Sequence, residues 1–313
     1  MTEPAALFRL PTRGVIEVSG ADRVRWLDGM ISADVKSLAA GEGAWALLLT
    51  RQGRVVADLH VLARAESFWL ELEGVGVAPV LARLQAYVVA DDVTLADLSA
   101  GFARFALEGP RAAEILAGAG GEAIRLAPGA WRELELGGAA TSVAAYGFTG
   151  FPAFQVFAPV AAREAVARAL LSAGAREAGA DTLECLRIEA GTPWLGRELD
   201  ESVLPAEARL DAAISSTKGC YTGQEVVTRM RSRGRMASRL VGLRFGGGAP
   251  PARGASIEAA GERIGQLTSS VRSPALGTIG LGFVRVDAAE PGTVVHVAGN
   301  EARLAELPMR APD

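Results

Sequence analysis

The distribution of helix and strand patterns along the chain is the feature that most constrains its fold. Residues 246–254 read Gly-Gly-Gly-Ala-Pro-Pro-Ala-Arg-Gly, which predicts a linker or a long turn because glycine and proline interrupt regular structure. Short β-rich runs without helical periodicity follow it, at 256–259, 264–271, 277–286 and 293–298. This pattern predicts a small C-terminal β-barrel or β-sandwich.

The longer part of the chain before this linker mixes strands and helices. Alternating residues and a central turn predict a hairpin of two strands, 45–50 and 54–64, around Arg51-Gln52-Gly53. Helical periodicity predicts helices over residues 77–87 and 161–171. Because these elements do not follow a regular β-α-β order, we expect an α+β fold and not a doubly wound sheet.

Composition excludes several classes of protein. With 313 residues, half of them apolar, the chain can form two or three domains around a sizeable core. No apolar run approaches the ~18 residues that span a bilayer, and the N-terminus lacks a signal-peptide pattern, so we expect a cytoplasmic protein with no membrane partner. Two cysteines and two histidines are too few for a disulfide framework or a dedicated metal site. The net charge of −4 gives no general attraction to nucleic acid.

Eight consecutive residues depart from this composition, and we name them the octet. They read Lys218-Gly219-Cys220-Tyr221-Thr222-Gly223-Gln224-Glu225 and include one of two lysines and one of two cysteines. Thr222 and Glu225 stand in capping-box register, which predicts a helix from Gly223 to about Gly234. Cys220 would then precede a helix N-terminus with Lys218 nearby, and both would favour a reactive thiolate. A Cys220 buried as a small apolar side chain beside a turn is an equal alternative.

The octet opens an arginine-rich segment. Between residues 218 and 239, six basic side chains accompany one carboxylate, that of Glu225. This excess predicts an anion-binding rim for a polyglutamate tail, a phosphate or an RNA segment. A solvated helix face accounts for the same arginines equally well, and the scarcity of aromatic residues weakens a single-stranded nucleic-acid interpretation. The rim candidates are Arg229, Arg231, Arg233 and Arg235.

Two acidic residues are further candidates. Asp58 lies on the second strand of the predicted hairpin and shares a face with His60, and two polar residues on a solvated face are the simpler interpretation. Glu189 ends an apolar-flanked segment just before a Gly-Thr-Pro turn. A carboxylate there needs a partner, which could be the N–H groups of a ligand or, more simply, Arg187 or Arg197.

Together these segments resemble one known family. The octet resembles the signature of the YgfZ family, folate-binding proteins related to the aminomethyltransferase (T-protein) of the glycine cleavage system. Weaker resemblances follow in the family's order along nearly the whole chain. They are residues 18–27, 32–35, 107–112, 187–191, 204–207, 265–269 and 282–285.

The resemblance implies the fold and a function. The fold would comprise two interleaved α+β modules, one of them ferredoxin-like, over residues 1–244, followed by a C-terminal β-barrel over 245–313, around a central folate channel. The cofactor would be tetrahydrofolate or a derivative. The implied role is support of iron–sulfur cluster assembly or repair in client enzymes, including radical-SAM enzymes that modify tRNA. A folate-dependent aminomethyl transferase is the first alternative, and a non-catalytic tRNA-binding module is the second.

The resemblance also implies site residues. Cys220 would be the functional thiol and Glu189 the residue that holds the pterin ring, with Asp58 and Lys218 as further folate contacts. A lone cysteine cannot hold a cluster that needs about four protein ligands, so no metal site is expected. The remaining signature positions are Gly219, Tyr221, Gly223, Gln224 and Glu225.

Two departures from the family pattern bear on activity. Relatives carry Asp-Asp-Leu where this chain has Ala57-Asp58-Leu59, so one of two acids is missing. If the missing acid is the catalytic one, the departure argues against aminomethyl transfer, and Asp58 can still contact the ligand. Relatives commonly place a histidine after Gly234, where this chain has Arg235, which removes a proton-transfer group and keeps a positive charge.

Overall fold

A computed structural model describes residues 5–120, 125–233 and 236–310. The strands are β1 (Ala6–Arg9), β2 (Arg13–Ser19), β3 (Gly43–Leu49), β4 (Val55–Ala63), β5 (Ser67–Glu73), β6 (Thr94–Asp97), β7 (Phe102–Glu108), β8 (Trp131–Leu136), β9 (Ala139–Ala144), β10 (Ala153–Pro159), β11 (Arg176–Ala178), β12 (Ser238–Phe245), β13 (Ser256–Ala259), β14 (Glu262–Ser273), β15 (Gly277–Arg285), β16 (Val294–Val297) and β17 (Asn300–Ala305). The α-helices are α1 (Arg23–Met30), α2 (Val77–Gln85), α3 (Ala112–Gly120), α4 (Arg163–Ser172), α5 (Ala180–Ala190) and α6 (Gln224–Arg233).

The strands form two open sheets and one closed barrel. The first sheet has five strands in the order β3-β4-β5-β2-β6, and the second has six in the order β11-β1-β7-β10-β9-β8. The barrel closes in the order β12-β15-β14-β13-β16-β17. Because β1 belongs to the second sheet and β2 to the first, the two α+β modules are interleaved. The expected fold class, an α+β fold with a C-terminal β-barrel, is confirmed.

Each open sheet buries one face under its own helices. The first sheet packs with α1 and α2 around residues such as Leu27, Leu59 and Leu84. The second packs with α3 and α4 around residues such as Phe105 and Leu170. The opposite faces of the two sheets meet each other through an apolar contact of Val15, Leu62, Trp69, Ala144 and Phe157. The candidate site lies beside this contact, between the sheets.

Most of the elements predicted from local patterns are present. The hairpin of β3 and β4, the helix α2 and the four barrel strands from 256 to 298 are confirmed, with bounds shifted by a few residues. The apolar pattern of residues 88–95 predicts a strand, and this prediction is wrong, since the chain is irregular from Ala86 until β6 begins at Thr94. Local patterns predict no strand at 238–245 or 300–305, and β12 and β17 close the barrel there. We therefore propose a domain boundary before Ser238 and not at residue 245.

Candidate functional site

The strand β4 sends alternate side chains to opposite sides of the first sheet. Ala57 and Leu59 are fully buried in the core with α1 and α2. Asp58 and His60 point the other way, towards the second sheet, and are partly buried there. The interpretation of these two residues as a solvated polar face is therefore wrong, because the second sheet covers that face.

A network of buried charges lies next to these residues. Glu71 is fully buried and accepts hydrogen bonds from Arg13 at 2.8 Å and from Arg104 at 2.9 Å. Burial alone would raise the pKa of Glu71, but the two guanidinium groups hold that pKa far below its ordinary value. Arg13 and Glu71 belong to the first sheet and Arg104 to the second, so the network ties the two modules together.

Three aromatic rings stack beside this network. The His60 and Tyr146 rings lie 3.7 Å apart and nearly parallel, and Trp45 lies parallel to His60 at 6.2 Å between centroids. The pKa of His60 is lowered to about 3, chiefly by burial; Glu71 opposes this shift, and Arg13 and Arg104 contribute to it. His60 is therefore neutral at physiological pH and contributes a flat, uncharged ring. Phe148 meets both His60 and Tyr146 edge-on.

Several buried polar atoms in this region have no hydrogen-bond partner. They are the indole nitrogens of Trp45 and Trp194, the hydroxyl of Tyr146 and the Nε atom of Arg104. Burial raises the pKa of Asp58, while Arg13 lowers it and Trp45 adds a weak contact short of full hydrogen-bond geometry. Buried donors without partners are uncommon in folded proteins and suit a polar ligand. We name the group the central cluster: Arg13, Trp45, Asp58, His60, Glu71, Arg104 and Tyr146.

Glu189 lies elsewhere, at the end of α5. Its carboxylate is almost fully buried and accepts hydrogen bonds from Ser273 at 2.5 Å and from Arg310. The thiol of Cys185 donates to it at 3.5 Å, and burial together with Glu189 raises the pKa of that thiol to about 11. None of these partners of Glu189 belongs to the central cluster.

The simpler interpretation of Glu189, an ion pair with Arg187 or Arg197, is wrong. Arg187 is fully buried and pairs with Glu184 at 2.5 Å and with Glu198 at 2.7 Å. Glu189 pairs instead with Arg310, whose neighbour Met309 donates its backbone N–H to the Glu189 carbonyl at 2.8 Å. Local spacing could not reveal this contact, because the two residues are far apart in the sequence.

The octet is tightly held. Lys218 donates to the backbone carbonyls of Asp28, Ile31 and Ala33 at 2.6, 2.8 and 2.7 Å. Burial lowers the pKa of Lys218, and Asp28 opposes this shift. Cys220, two residues further on, is exposed, so the alternative of a buried, inert cysteine is wrong.

Two glycines let the octet lie directly against the hairpin of β3 and β4. Gly223 has φ +85°, and a Cβ added there would lie 2.6 Å from the Thr50 carbonyl oxygen. Gly53 at the hairpin turn has φ +72°, and a Cβ there would lie 2.9 Å from Val226. Both positions require glycine, because only glycine adopts this backbone region freely and because no side chain fits.

The predicted helix after the octet is α6, but its predicted capping box is absent. The Thr222 amide donates to the Gly29 carbonyl at 3.1 Å, and the Glu225 carboxylate pairs with Arg229 at 2.7 Å instead of reaching back. Of the rim candidates, Arg229 is exposed. The side chains of Arg231 and Arg233 and the whole of Arg235 lie outside the described residues, as does the predicted helix stop at Gly234.

Comparison with known proteins identifies the family. The GCVT N-terminal domain family matches residues 1–218, and the glycine cleavage T-protein C-terminal barrel domain matches residues 238–309. The chain belongs to the glycine cleavage T-protein family.

Individual relatives agree with this assignment. The chain is 32% identical over 283 residues to an aminomethyltransferase of Rubrobacter xylanophilus, covering 90% of this chain and 76% of that protein. It is 30% identical to the putative chloroplastic transferase At1g60990 of Arabidopsis thaliana, over 91% of this chain and 66% of the relative. Among solved structures, aminomethyltransferase T of Bartonella henselae matches with a TM-score of 0.89 and 24% identity, over 98% of this chain and 87% of that one, which shows the fold alone.

Membership of the family indicates that the expected cofactor is a folate. Members of this aminomethyltransferase family use tetrahydrofolate. Within residues 5–120, 125–233 and 236–310, no group of three or more His, Cys, Asp or Glu side chains could hold a metal ion. In the same ranges, no helix is long and apolar enough to cross a membrane.

Sequence patterns indicate one acid of the central cluster and miss its charged partners. Glu71 lies in the run Ser67-Phe68-Trp69-Leu70-Glu71-Leu72-Glu73, where alternation suggests an exposed carboxylate. Arg13 and Arg104 likewise resemble the many surface arginines of this chain. Besides the alternation that places Asp58 and His60 on one face, the sequence signal for the cluster is the presence of rare aromatic residues, Trp45 and Tyr146, on segments that the fold brings together.

Proposed function

We propose that this protein binds a reduced folate, tetrahydrofolate or a derivative, at the central cluster. The observation that carries the proposal is the set of buried donors on Trp45, Tyr146 and Trp194 that make no hydrogen bond of good geometry, in the region of a carboxyl group with a raised pKa. A pterin is flat and carries hydrogen-bonding atoms around its edge. Stacked aromatic rings together with polar atoms that lack partners suit such a molecule.

The position of Asp58 supports one-carbon chemistry. The acid missing from the Asp-Asp-Leu pattern is at position 57, and Ala57 points into the apolar core with α1 and α2. The acid that remains, Asp58, is the one that faces the central cluster. When bound, tetrahydrofolate supplies the nitrogen atoms that carry a one-carbon unit. A carboxyl group with a raised pKa can hold or release a proton closer to neutral pH than an ordinary aspartate.

Folate-dependent aminomethyl transfer is the first use of this site. The relatives named aminomethyltransferase and the retained Asp58 support it. It predicts that purified protein with an aminomethyl donor and tetrahydrofolate forms methylenetetrahydrofolate, and that Asp58→Asn abolishes this turnover while folate still binds. Tight folate binding without any turnover by the wild-type protein would exclude transferase activity and leave the binding proposal standing.

Support of iron–sulfur enzymes, as a member of the YgfZ branch of the family, is the second use. The exposed thiol of Cys220 on a tightly held loop supports it, because a thiol that acts on another protein must be accessible. It predicts that a strain carrying Cys220→Ala loses activity of iron–sulfur client enzymes, including radical-SAM enzymes that modify tRNA, while the purified variant keeps its melting temperature. If client enzymes in that strain keep wild-type activity, the Cys220 thiol has no role in supporting them.

A role of Glu189 as pterin anchor is a separate proposal, because Glu189 lies at the end of α5 and its partners do not belong to the central cluster. Its carboxylate is paired with Arg310 and Ser273, so pterin N–H groups would have to replace or share these donors. Titration of tetrahydrofolate against wild type, Asp58→Asn and Glu189→Ala separates the two acids. Equal affinities for wild type and Glu189→Ala would remove Glu189 from the site, and absence of binding to wild type would overturn the folate proposal.

The structure gives less support to ligand binding by Lys218 and by the arginine rim. The ammonium of Lys218 already donates to three backbone carbonyls, and this occupancy favours a structural role over folate contact. Exposed Arg229 is compatible with tRNA contact, and such contact has a clear signature, because binding through phosphates weakens steeply as the salt concentration rises. A tRNA affinity that does not change with salt concentration would contradict the hypothesis of a tRNA-binding module.

A further inference from the structure

The ammonium group of Lys218 occupies a cage of backbone oxygens. The side chain is 1% exposed, and its Nζ atom lies 2.6–2.8 Å from the carbonyl oxygens of Asp28, Ile31 and Ala33. The carboxylate of Asp28 lies 3.2 Å away as a fourth oxygen. An ammonium group has three N–H donors, so every donor has a carbonyl partner and none is left for a ligand.

The cage forms where α1 ends. The last carbonyls of a helix have no partner within the helix, and they carry the negative end of its dipole. Asp28 lies in the last turn of α1, Ile31 caps the helix and Ala33 follows it. A cation in this cage satisfies carbonyls that the helix itself leaves open.

The choice of lysine follows from the shape of the cage. The chain has 32 basic residues, and only two of them, Lys36 and Lys218, are lysines. Both bind Asp28, since the Nζ atom of Lys36 lies 2.9 Å from the other carboxylate oxygen. A compact ammonium fits three converging carbonyls, whereas a planar guanidinium of larger size does not.

We propose that Lys218 is a positioning residue for Cys220, acting as a built-in monovalent cation that fixes the octet to the end of α1. The inference rests on the proposed function of Cys220. Two backbone hydrogen bonds flank the cage, from the Ser215 amide to the Ser32 carbonyl at 3.0 Å and from the Thr222 amide to the Gly29 carbonyl at 3.1 Å. Lys218 lies between these two attachments, and Cys220 follows it within the same short segment.

Chemical rescue of a Lys218→Ala variant tests the cage. Hydrogen exchange of the amides at 215–222 becomes several-fold faster in this variant, and added ammonium chloride slows it again, because ammonium matches the lysine Nζ in size and donors. Tetramethylammonium chloride at the same concentration, which has no N–H donor, leaves the exchange fast. Lys218→Arg retains the charge and still exchanges fast.

Lys36→Ala is the matched control, because it removes the other cation bound to Asp28 but lies outside the cage. In this variant the amides at 215–222 should exchange at the wild-type rate. If Lys218→Ala is too unstable for exchange measurements, a rise in its melting temperature with ammonium but not with tetramethylammonium is the equivalent result. Two results would contradict the proposed role of the cage. One is the absence of rescue by ammonium, and the other is amide exchange at 215–222 in Lys218→Arg that is as slow as in wild type.

The link to Cys220 has its own readout. Lys218→Ala lowers Cys220-dependent client activity as Cys220→Ala does, ammonium restores it in a purified assay, and the affinity for tetrahydrofolate stays within twofold of wild type. A loss of folate affinity well beyond twofold would make Lys218 a folate contact and overturn the positioning role. If Cys220→Ala itself retains full client activity, the proposed function of the thiol fails, while the exchange experiment still judges the cage.

Discussion

The central cluster and the octet treat their polar groups in opposite ways. In the central cluster, Trp45 and Tyr146 carry buried polar atoms without partners, and burial raises the pKa of Asp58. In the octet, each N–H of the Lys218 ammonium has a carbonyl partner, and the one exposed reactive group is the Cys220 thiol. The first arrangement costs stability and suits ligand binding, whereas the second holds a loop in place.

The largest effect is expected inside the central cluster, at its charge network. Glu71→Gln leaves Arg13 and Arg104 buried without their counter-charge, which should cost about 3–5 kcal/mol of unfolding free energy. Urea denaturation measures the change. Glu73→Gln is the control, because Glu73 lies 3.5 Å from Arg13 and is partly exposed, and it should cost far less. Equal costs for the two variants would show that the network does not bind the modules together.

The next effect tests whether the octet depends on close backbone contact. Gly223→Ala places a Cβ 2.6 Å from the Thr50 carbonyl oxygen at a φ of +85°, so it should cost on the order of 1–3 kcal/mol. Gly219→Ala in the same octet is the control, since a Cβ there meets nothing within 4 Å. Thermal unfolding compares the two variants. A Gly219 variant as unstable as the Gly223 variant would refute the proposed packing against the hairpin.

A smaller effect, of opposite sign, is expected at Asp58. Burial raises its pKa in the folded protein, so the group favours folding below its unfolded pKa and opposes folding as pH rises through the folded pKa. Asp58→Asn removes this penalty, and the variant should gain melting temperature relative to wild type as pH rises from about 4 to about 8. A variant that instead loses stability with rising pH would show that the carboxylate is well satisfied without a ligand.

The smallest effect is expected on the exposed face of α6. Arg229→Ala removes the pair with Glu225, which is 85% exposed, so the unfolding free energy should fall by about 0.5 kcal/mol or less. The affinity of the same variant for tRNA, compared with wild type, tests whether Arg229 takes part in an anion-binding rim. A loss above about 1 kcal/mol would mean that this face has a structural role that exposed ion pairs do not have.

The parts of the fold that sequence could predict are those with strong local patterns. The hairpin of β3 and β4 follows from alternation around a glycine turn, and the barrel strands β13 to β16 follow from short apolar runs between turn residues. The interleaving of the two modules and the closure of the barrel by β12 and β17 depend on pairing between distant segments. Local pattern carries little information about such pairing, and the family resemblance supplied it.

The site divides in the same way. The unusual composition of the octet identifies it from the sequence alone, and the alternation of β4 places Asp58 and His60 on one face. The partners of these residues could not be predicted, because Lys218 reaches carbonyls at 28–33 and Glu71 is held by Arg13 and Arg104 from two separate sheets. Every residue has a backbone carbonyl, so the sequence does not indicate which carbonyls bind Lys218. In the sequence, arginines that hold a buried carboxylate cannot be told apart from arginines on the surface.

The bridge between Glu71 and Arg104 also limits how a ligand can enter. Glu71 belongs to the first sheet and Arg104 to the second, so a hinge motion of one module away from the other would separate Arg104 from its buried counter-charge, while Glu71 would stay paired with Arg13. We therefore expect a bound molecule to exchange by rearrangement of rings and loops, with the two sheets held in place by this ion pair. Binding and release should leave the angle between the two sheets unchanged.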